Sequence, residues 1–221
     1  MLKRSLCLLA VLILLPLSFT VHAQERLNGR SRLELKVGYA GIAAGGTDYR
    51  TSVGMSGVDV SYGGSGFMGG LSFSHWLQED LSVFVAMTGI GVSSDVESGW
   101  TGVSTSTVSI GQLHMGMRYF LSGKNPHSSV RPYLALSAGP VMGTQSETRV
   151  DYEVVVTSHT ESAVGARLSS GMDILASRKF SFGAEVGYNL MSDFSGDIGG
   201  TRNYSGPEFA LNFGWLFGSA K

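Results

Sequence analysis

The sequence predicts an all-β fold, an eight-stranded antiparallel transmembrane β-barrel with up-and-down connections. Three observations lead there. Eight segments alternate apolar with polar or small residues at period two, the repeat of a strand and not of a helix. The faces opposite the apolar ones are mostly Gly, Ala and Ser with about one charge per strand, which suits a narrow interior better than a sheet face washed by water. Connections alternate between long or polar and short, as in barrels whose two ends face different compartments.

The first strand sets Leu33, Leu35, Val37 and Tyr39 against Glu34, Lys36, Gly38 and Ala40. The second has Phe67, Gly69, Leu71 and Phe73 opposed by Gly70, Ser72 and Ser74, and the third Leu81, Val83, Val85 and Met87 opposed by Ser82, Phe84, Ala86 and Thr88. In the fourth, Leu113, Met115, Met117 and Tyr119 oppose Gln112, His114, Gly116 and Arg118. Its upper part, with Val108 and Ile110 apolar, is out of phase, so either a bulge near Gly111 or emergence above the lipid is expected.

The fifth strand turns Pro132, Leu134, Leu136 and Ala138 away from Arg131, Tyr133, Ala135 and Ser137. The sixth opposes Val164, Ala166, Leu168, Ser170, Met172 and Ile174 to Gly165, Arg167, Ser169 and Asp173. Phe180, Phe182, Ala184, Val186 and Tyr188 face away from Ser181, Gly183, Glu185 and Asn189 in the seventh. The eighth interleaves Phe209, Leu211, Phe213, Trp215 and Phe217 with Glu208, Ala210, Asn212 and Gly214.

Long or polar connections are expected over 42–66, 92–103, 143–162 and 191–205, and shorter ones near 76–80, 121–130 and 176–179. The run Val154 to Val156 reads best as strands five and six continuing upward and pairing above the membrane. Aromatics at strand ends suggest two girdles: Phe73, Trp76, Tyr119, Phe180, Trp215 and Phe217 below, and Tyr39, Tyr188 and Phe209 above.

Residues 1–23 carry the three parts of a secretory signal: the basic pair Lys3-Arg4, an apolar run, and the small-residue break Val21-His22-Ala23. Residues 24–221 then form one barrel domain with four longer extracellular loops. Cys7, the only cysteine, lies inside the leader, which excludes thiol chemistry and disulfides from the remainder. With 14 basic against 17 acidic residues after the leader, a nucleic-acid partner is excluded. A hydrophobic content of 43% excludes intrinsic disorder.

From Leu33 to Phe217 the chain resembles the small eight-stranded outer-membrane barrels related to the OmpA transmembrane domain and to OmpX, of Gram-negative bacteria. The final strand, Phe209 to Phe217, is similar to the terminal strands that the barrel-insertion machinery recognises, although Gly218-Ser219-Ala220-Lys221 follow the last aromatic. The resemblance implies a monomer in the outer membrane, with lipid and lipopolysaccharide around it. An even strand number puts both termini in the periplasm.

A barrel-interior polar network is expected from Glu34, Lys36, Gln112, His114, Arg118, Arg131, Arg167, Asp173, Glu185, Glu208 and Asn212. Paired, these residues seal the barrel; left unpaired around a water path, they would line a narrow pore. The small interior favours sealing. Tyr49, Tyr62, Trp100 and Tyr152 in the loops are the candidates for contact with an extracellular ligand of unknown kind. No cofactor, metal or catalytic site is expected: Ser109, His114 and Glu185 form no compact motif of a lipid-modifying enzyme, and the loop carboxylates lack ligand spacing. The functional expectation is a noncatalytic outer-membrane barrel with an envelope-structural or surface-interaction role, a narrow pore being the second reading and lipid modification the third.

Overall fold

The computed structural model describes residues 27–43, 51–54, 57–60, 65–99, 102–121, 129–150 and 154–219. The expected leader and the contact candidates Tyr49, Tyr62, Trp100 and Tyr152 lie outside them. Among the described residues there are ten strands: β1 (Ser31–Gly41), β2 (Thr51–Gly54), β3 (Gly57–Val60), β4 (Ser65–Trp76), β5 (Leu81–Gly99), β6 (Gly102–Phe120), β7 (Val130–Val150), β8 (Val154–Leu175), β9 (Phe180–Met191) and β10 (Gly206–Phe217).

Eight of them close a ring. The order runs β5-β4-β1-β10-β9-β8-β7-β6, and β6 pairs back onto β5. Every pairing is antiparallel, including the seam where β1 meets β10 from Ser31↔Phe217 to Ala40↔Glu208. The other two strands, β2 and β3, form a short hairpin within the connection expected over 42–66, and β3 adds onto the upper part of β5 through Asp59↔Glu97 and Val60↔Val96.

One end of the ring, the turn end, carries Leu27 and Ser219, the first and last described residues, and the short connections β4–β5 and β8–β9. The other, the hairpin end, rises on one side only. There β5 and β6 pair up to Gly99↔Gly102, and β7 and β8 up to Val150↔Val154. The spans 92–103 and 143–162 are therefore mostly strand, a correction to their reading as loops and in keeping with Val154 to Val156 pairing above the barrel. Strands β1, β4, β9 and β10 stop lower, so the wall is taller over β5–β8 than elsewhere.

Side chains alternate across the wall as the sequence phase requires. Leu35, Leu71, Met87, Leu113, Phe182 and Phe213 are exposed at mid-height and lie on adjacent strands at matching register. A continuous apolar girdle this wide is stable only against hydrocarbon. The interior positions are buried.

Two expectations are corrected. Of the two readings of the change near Gly111, the bulge is not found: even-numbered residues of β6 from Val108 to Phe120 all point inward in one register, and the interior itself turns apolar at Val108 and Ile110. The register shift lies across the ladder on β5, where Val92 is the extra residue between Gly91 and Ser93. Trp76 does not belong to the lower girdle. It is 1% exposed and packs inside the barrel on Phe120, as the even parity of β4 requires.

A ring of eight strands curves so tightly that inward Cβ atoms crowd the neighbouring backbone. At Gly116 a Cβ would come within 2.2 Å of the Leu136 carbonyl oxygen and 2.5 Å of Ser137 Cβ, whereas at Gly89, which faces outward, it would meet nothing within 4 Å. Gly116→Ala is expected to destabilise the barrel by about 1–3 kcal/mol and Gly89→Ala to stay within about 0.5 kcal/mol of the parent. Urea unfolding from lipid vesicles measures both.

Candidate functional site

The lumen is filled in layers. At the turn end, Leu27, Trp76, Phe84, Phe120, Tyr133, Leu175 and Leu216 form an aromatic-rich floor. Trp76 stacks on Phe120 with ring centroids 5.9 Å apart, and Phe120 meets Tyr133 edge-on at 5.6 Å. The segment leading into β1 closes this end: the Gly29 amide donates to the Trp76 carbonyl and the Leu27 amide to the Glu79 carboxylate, each at 3.0 Å.

Above the floor sits the ionic core. Strand β1 presents Arg32, Glu34 and Lys36 inward at alternate positions, so three charges of alternating sign stack on one face. Glu34 lies 2.6 Å from Arg32 and 3.3 Å from Arg118, and accepts a hydrogen bond from the Ser72 hydroxyl. Asp173 on β8 lies 2.5 Å from Arg32 and 3.5 Å from Arg118. Glu185 on β9 is shared by Lys36 at 3.2 Å and Arg167 at 2.8 Å, and accepts from the Tyr133 hydroxyl at 2.7 Å. The Arg167 Nε donates to Glu208 on β10, and the Asn212 amide reaches both Glu185 and the Tyr133 hydroxyl.

Among the described residues the core thus contains four cations, Arg32, Lys36, Arg118 and Arg167, and four anions, Glu34, Asp173, Glu185 and Glu208. Each is almost wholly buried and ion-paired. The cations also rest on the floor: Arg118 lies 4.4 Å from the Tyr133 ring centroid and Arg32 lies 5.2 Å from that of Trp76. Arg131 stands apart at the turn end, where its guanidinium donates to the Glu79 carbonyl and covers the Phe120 ring.

Higher in the lumen, Gln112, His114 and Asn189 are buried with few protein partners. The Gln112 carbonyl accepts from the Thr88 hydroxyl at 3.4 Å, while the Gln112 amide nitrogen, His114 Nε2 and both Asn189 amide atoms have no hydrogen-bond partner among the described residues. Over them lies an apolar roof that includes Met68, Ile90, Val92, Val108, Ile110 and Val141. The connection from β9 to β10 folds down into it, inserting Phe194, Ile198 and Tyr204. Gly199 and Gly200, at φ of 57° and 79°, make the turn that allows this, and the Gly199 amide donates to the Gln145 side chain at 2.8 Å. Burial pushes the Tyr204 hydroxyl up to about 12, and that hydroxyl donates to the Ile198 carbonyl.

Of the residues expected in an interior network, the structure brings together Glu34, Lys36, Arg118, Arg167, Asp173, Glu185, Glu208 and Asn212, and places Gln112 and His114 above them and Arg131 at the turn end. Sequence reasoning missed two that matter. Arg32 lies one step before Leu33, where the alternation was taken to begin, although the phase of β1 carries it inward. Tyr133 was assigned to the inner face but not to the network, where its hydroxyl sits between Glu185 and Asn212.

The residues considered for lipid chemistry are not brought together. His114 and Glu185 are inside, Ser109 is exposed on the outer wall, and the sheet separates them. His75 lies at the turn end against the Ser31 hydroxyl at 3.0 Å, and His159 at the hairpin end against Glu161 at 3.1 Å. Among the described residues no group of three or more His, Cys, Asp or Glu side chains is placed to hold a metal ion.

A family model described as an outer membrane protein beta-barrel domain matches residues 8–217. No match was found among curated proteins. Among solved structures, the chain is similar to the outer membrane protein OprG from Pseudomonas aeruginosa, with 14% identity, a TM-score of 0.51, and coverage of 89% of this chain and 99% of that one. It is also similar to Ail, the attachment invasion locus protein of Yersinia pestis, with 12% identity, a TM-score of 0.50, and coverage of 86% and 99%. At such identities the likeness is one of fold.

The energetics of the core follow from its burial. Removing one member of a buried ion pair strands its partner in a low-dielectric interior, whereas replacing both members together does not. Glu185→Ala, which leaves Lys36 and Arg167 each one carboxylate short, is expected to cost about 3–5 kcal/mol. The double variant Glu185→Gln with Lys36→Met should cost less than the sum of its two single changes. Unfolding midpoints of the set in one lipid, arranged as a double-mutant cycle, give the coupling directly.

Proposed function

Since the chain belongs to the outer membrane protein β-barrel domain family, we propose that it is a sealed, noncatalytic barrel of the Gram-negative outer membrane, with an envelope-structural role and a protruding hairpin end that makes surface contacts. The observation that carries this reading is the filled lumen. Floor, ionic core and roof occupy successive levels, and charges of both signs are matched within the core. A conducting path needs charged or polar groups facing a continuous column of water, and here the charged groups of the ionic core face one another.

Surface contact is supported by the uneven wall. The upper parts of β5–β8 stand beyond the ends of the other barrel strands and add sheet that the closure of the ring does not need. Loops and protruding elements on a rigid barrel are where such scaffolds carry recognition. In this reading the hairpin end faces the outside of the cell, and both termini lie in the periplasm, because an even number of strands returns the chain to the side where it started.

Two measurements test the proposal. Refolded protein in a planar bilayer is expected to give no reproducible unitary currents; steady single-channel steps would overturn the sealed barrel. In intact cells, a membrane-impermeant maleimide is expected to label His159→Cys at once and Lys179→Cys only after the outer membrane is opened. The reverse pattern would invert the orientation.

A further inference from the structure

The outward wall of β6, β7 and β8 changes chemistry within a single row of the sheet. Up to the row Gly111↔Met142↔Ser162, the outward positions of β7 run from Pro132 to Met142 and are apolar or alanine. Those ten residue steps span about 33 Å along the strand and about 25 Å along the barrel axis at the usual tilt, the height of a hydrocarbon band. The next two rows are made entirely of hydroxyl side chains: Ser109↔Thr144↔Thr160, then Thr107↔Ser146↔Ser158. Thr105↔Thr148 continues them upward on β6 and β7, while on β8 that row ends in Val156, and Val150↔Val154 lies above it. The Thr144 and Thr160 hydroxyls lie 3.3 Å apart, so the rows are packed hydroxyl against hydroxyl.

The two faces of this raised sheet differ. Among the described residues, the outward face of β6–β8 above the boundary row contains no charged side chain. The charged side chains of the same segments, Glu147, Arg149 and Glu161, together with the imidazole of His159, occupy the alternate positions and belong to the other face. A sheet standing free in water has no reason to sort its charges in this way; both faces would be equally well solvated. Sorting has a cause if the outward face is covered by a neutral polar layer, because stripping water from a hydroxyl that regains a hydrogen bond costs little, while stripping it from an ion costs much.

We propose that this wall docks the sugar headgroups of the glycolipid whose acyl chains cover the apolar belt directly below it. The occupant follows from continuity: the same face of the same three strands passes from lipid contact to hydroxyl rows without a break. Hydroxyls both donate and accept, as sugar hydroxyls do, and the rows present them about 4.8 Å apart across strands and about 6.6 Å apart along them. The face carries no cation to balance a phosphate among the described residues, so uncharged sugar hydroxyls are the better match. The inference rests on the outward orientation of the hairpin end proposed above.

Position-specific photocrosslinking tests it. Benzophenone is attached at Ser146→Cys on the hydroxyl face and, separately, at Glu147→Cys on the charged face, in full-length protein within cells whose outer leaflet carries lipopolysaccharide with a complete sugar core. An adduct bearing core sugar is expected from position 146 and not from 147, and it should be lost in cells whose lipopolysaccharide is trimmed to its acylated disaccharide. Equal adducts from both positions, or a protein-sized adduct from 146, would overturn the proposal while leaving the orientation intact. If the maleimide experiment places the hairpin end inside, the underlying reading fails and this one with it.

Discussion

The fold depends on one constraint: within hydrocarbon there is no water to satisfy a backbone N–H or carbonyl, so every strand must find a neighbour on both sides. Strand β1 therefore pairs with β4 along one edge and with β10 along the other, joining segments about as far apart as the barrel sequence allows. Once that seam is closed, the remaining geometry is tightly limited. Eight strands make a narrow tube, the narrow tube crowds inward Cβ atoms, and inward glycine becomes a requirement at positions such as Gly116 and Gly38, where an added Cβ would sit 2.2 Å and 2.0 Å from a neighbouring carbonyl oxygen. Above the membrane the constraint lapses, and there the sheet is free to have edges: β2 lies at one side of the raised part, and the upper half of β8 has β7 but no β9 beside it.

The same narrowness governs what can fill the lumen. The strands must be apolar on the lipid side, so an apolar inner side would leave the unfolded chain greasy throughout, whereas an inner side of free charges would be too costly to dehydrate. The structure resolves this by pairing. Four cations and four anions drawn from five strands are arranged so that each carboxylate meets at least one cation, and Glu34 and Glu185 each serve more than one. The network also ties the seam to the opposite wall, since Arg32, Glu34 and Lys36 all sit on β1 and their partners come from β6, β8 and β9. A cross-braced lumen keeps the tube round as well as closed.

Much of this was legible in the sequence because strand parity is a binary signal, and the barrel keeps it along every strand up to the extra residue Val92 on β5. Once Leu33 and Leu35 face lipid, Glu34 and Lys36 have nowhere to go but inward, and the same step places Arg118, Arg167, Glu185 and Glu208. The parity of β4 also placed Trp76 inside; treating it as a girdle residue gave too much weight to its position at a strand end. Other features were hidden for a physical reason. Partner identity depends on shear between strands, which alternation does not encode, so the pairing of Arg32 with Asp173 could not be read. The inward Val108 and Ile110 looked like a phase error because an apolar interior was not expected, and only the descent of Phe194, Ile198 and Tyr204 into the mouth explains why that level is apolar.

The two ends of the lumen are closed by different means. The floor is built from strand residues and the segment entering β1, stiffened by ring contacts and by cations lying over the rings. The roof depends on a connection: residues 192–205 fold back on themselves through the Phe194 amide to the Arg202 carbonyl and the Ile198 amide to the Thr201 carbonyl, and only then present their apolar side chains downward. A connection that must bury Phe194 and Ile198 cannot also extend outward as a flexible arm. The reach of the molecule is thereby assigned to the β5–β8 side, where strands continue upward and the β2–β3 hairpin adds onto β5, while the β9–β10 connection is held close to the rim. Closing the mouth and raising one wall are in this sense a single arrangement, with the cap made from the strands that stop short and the surface from those that do not.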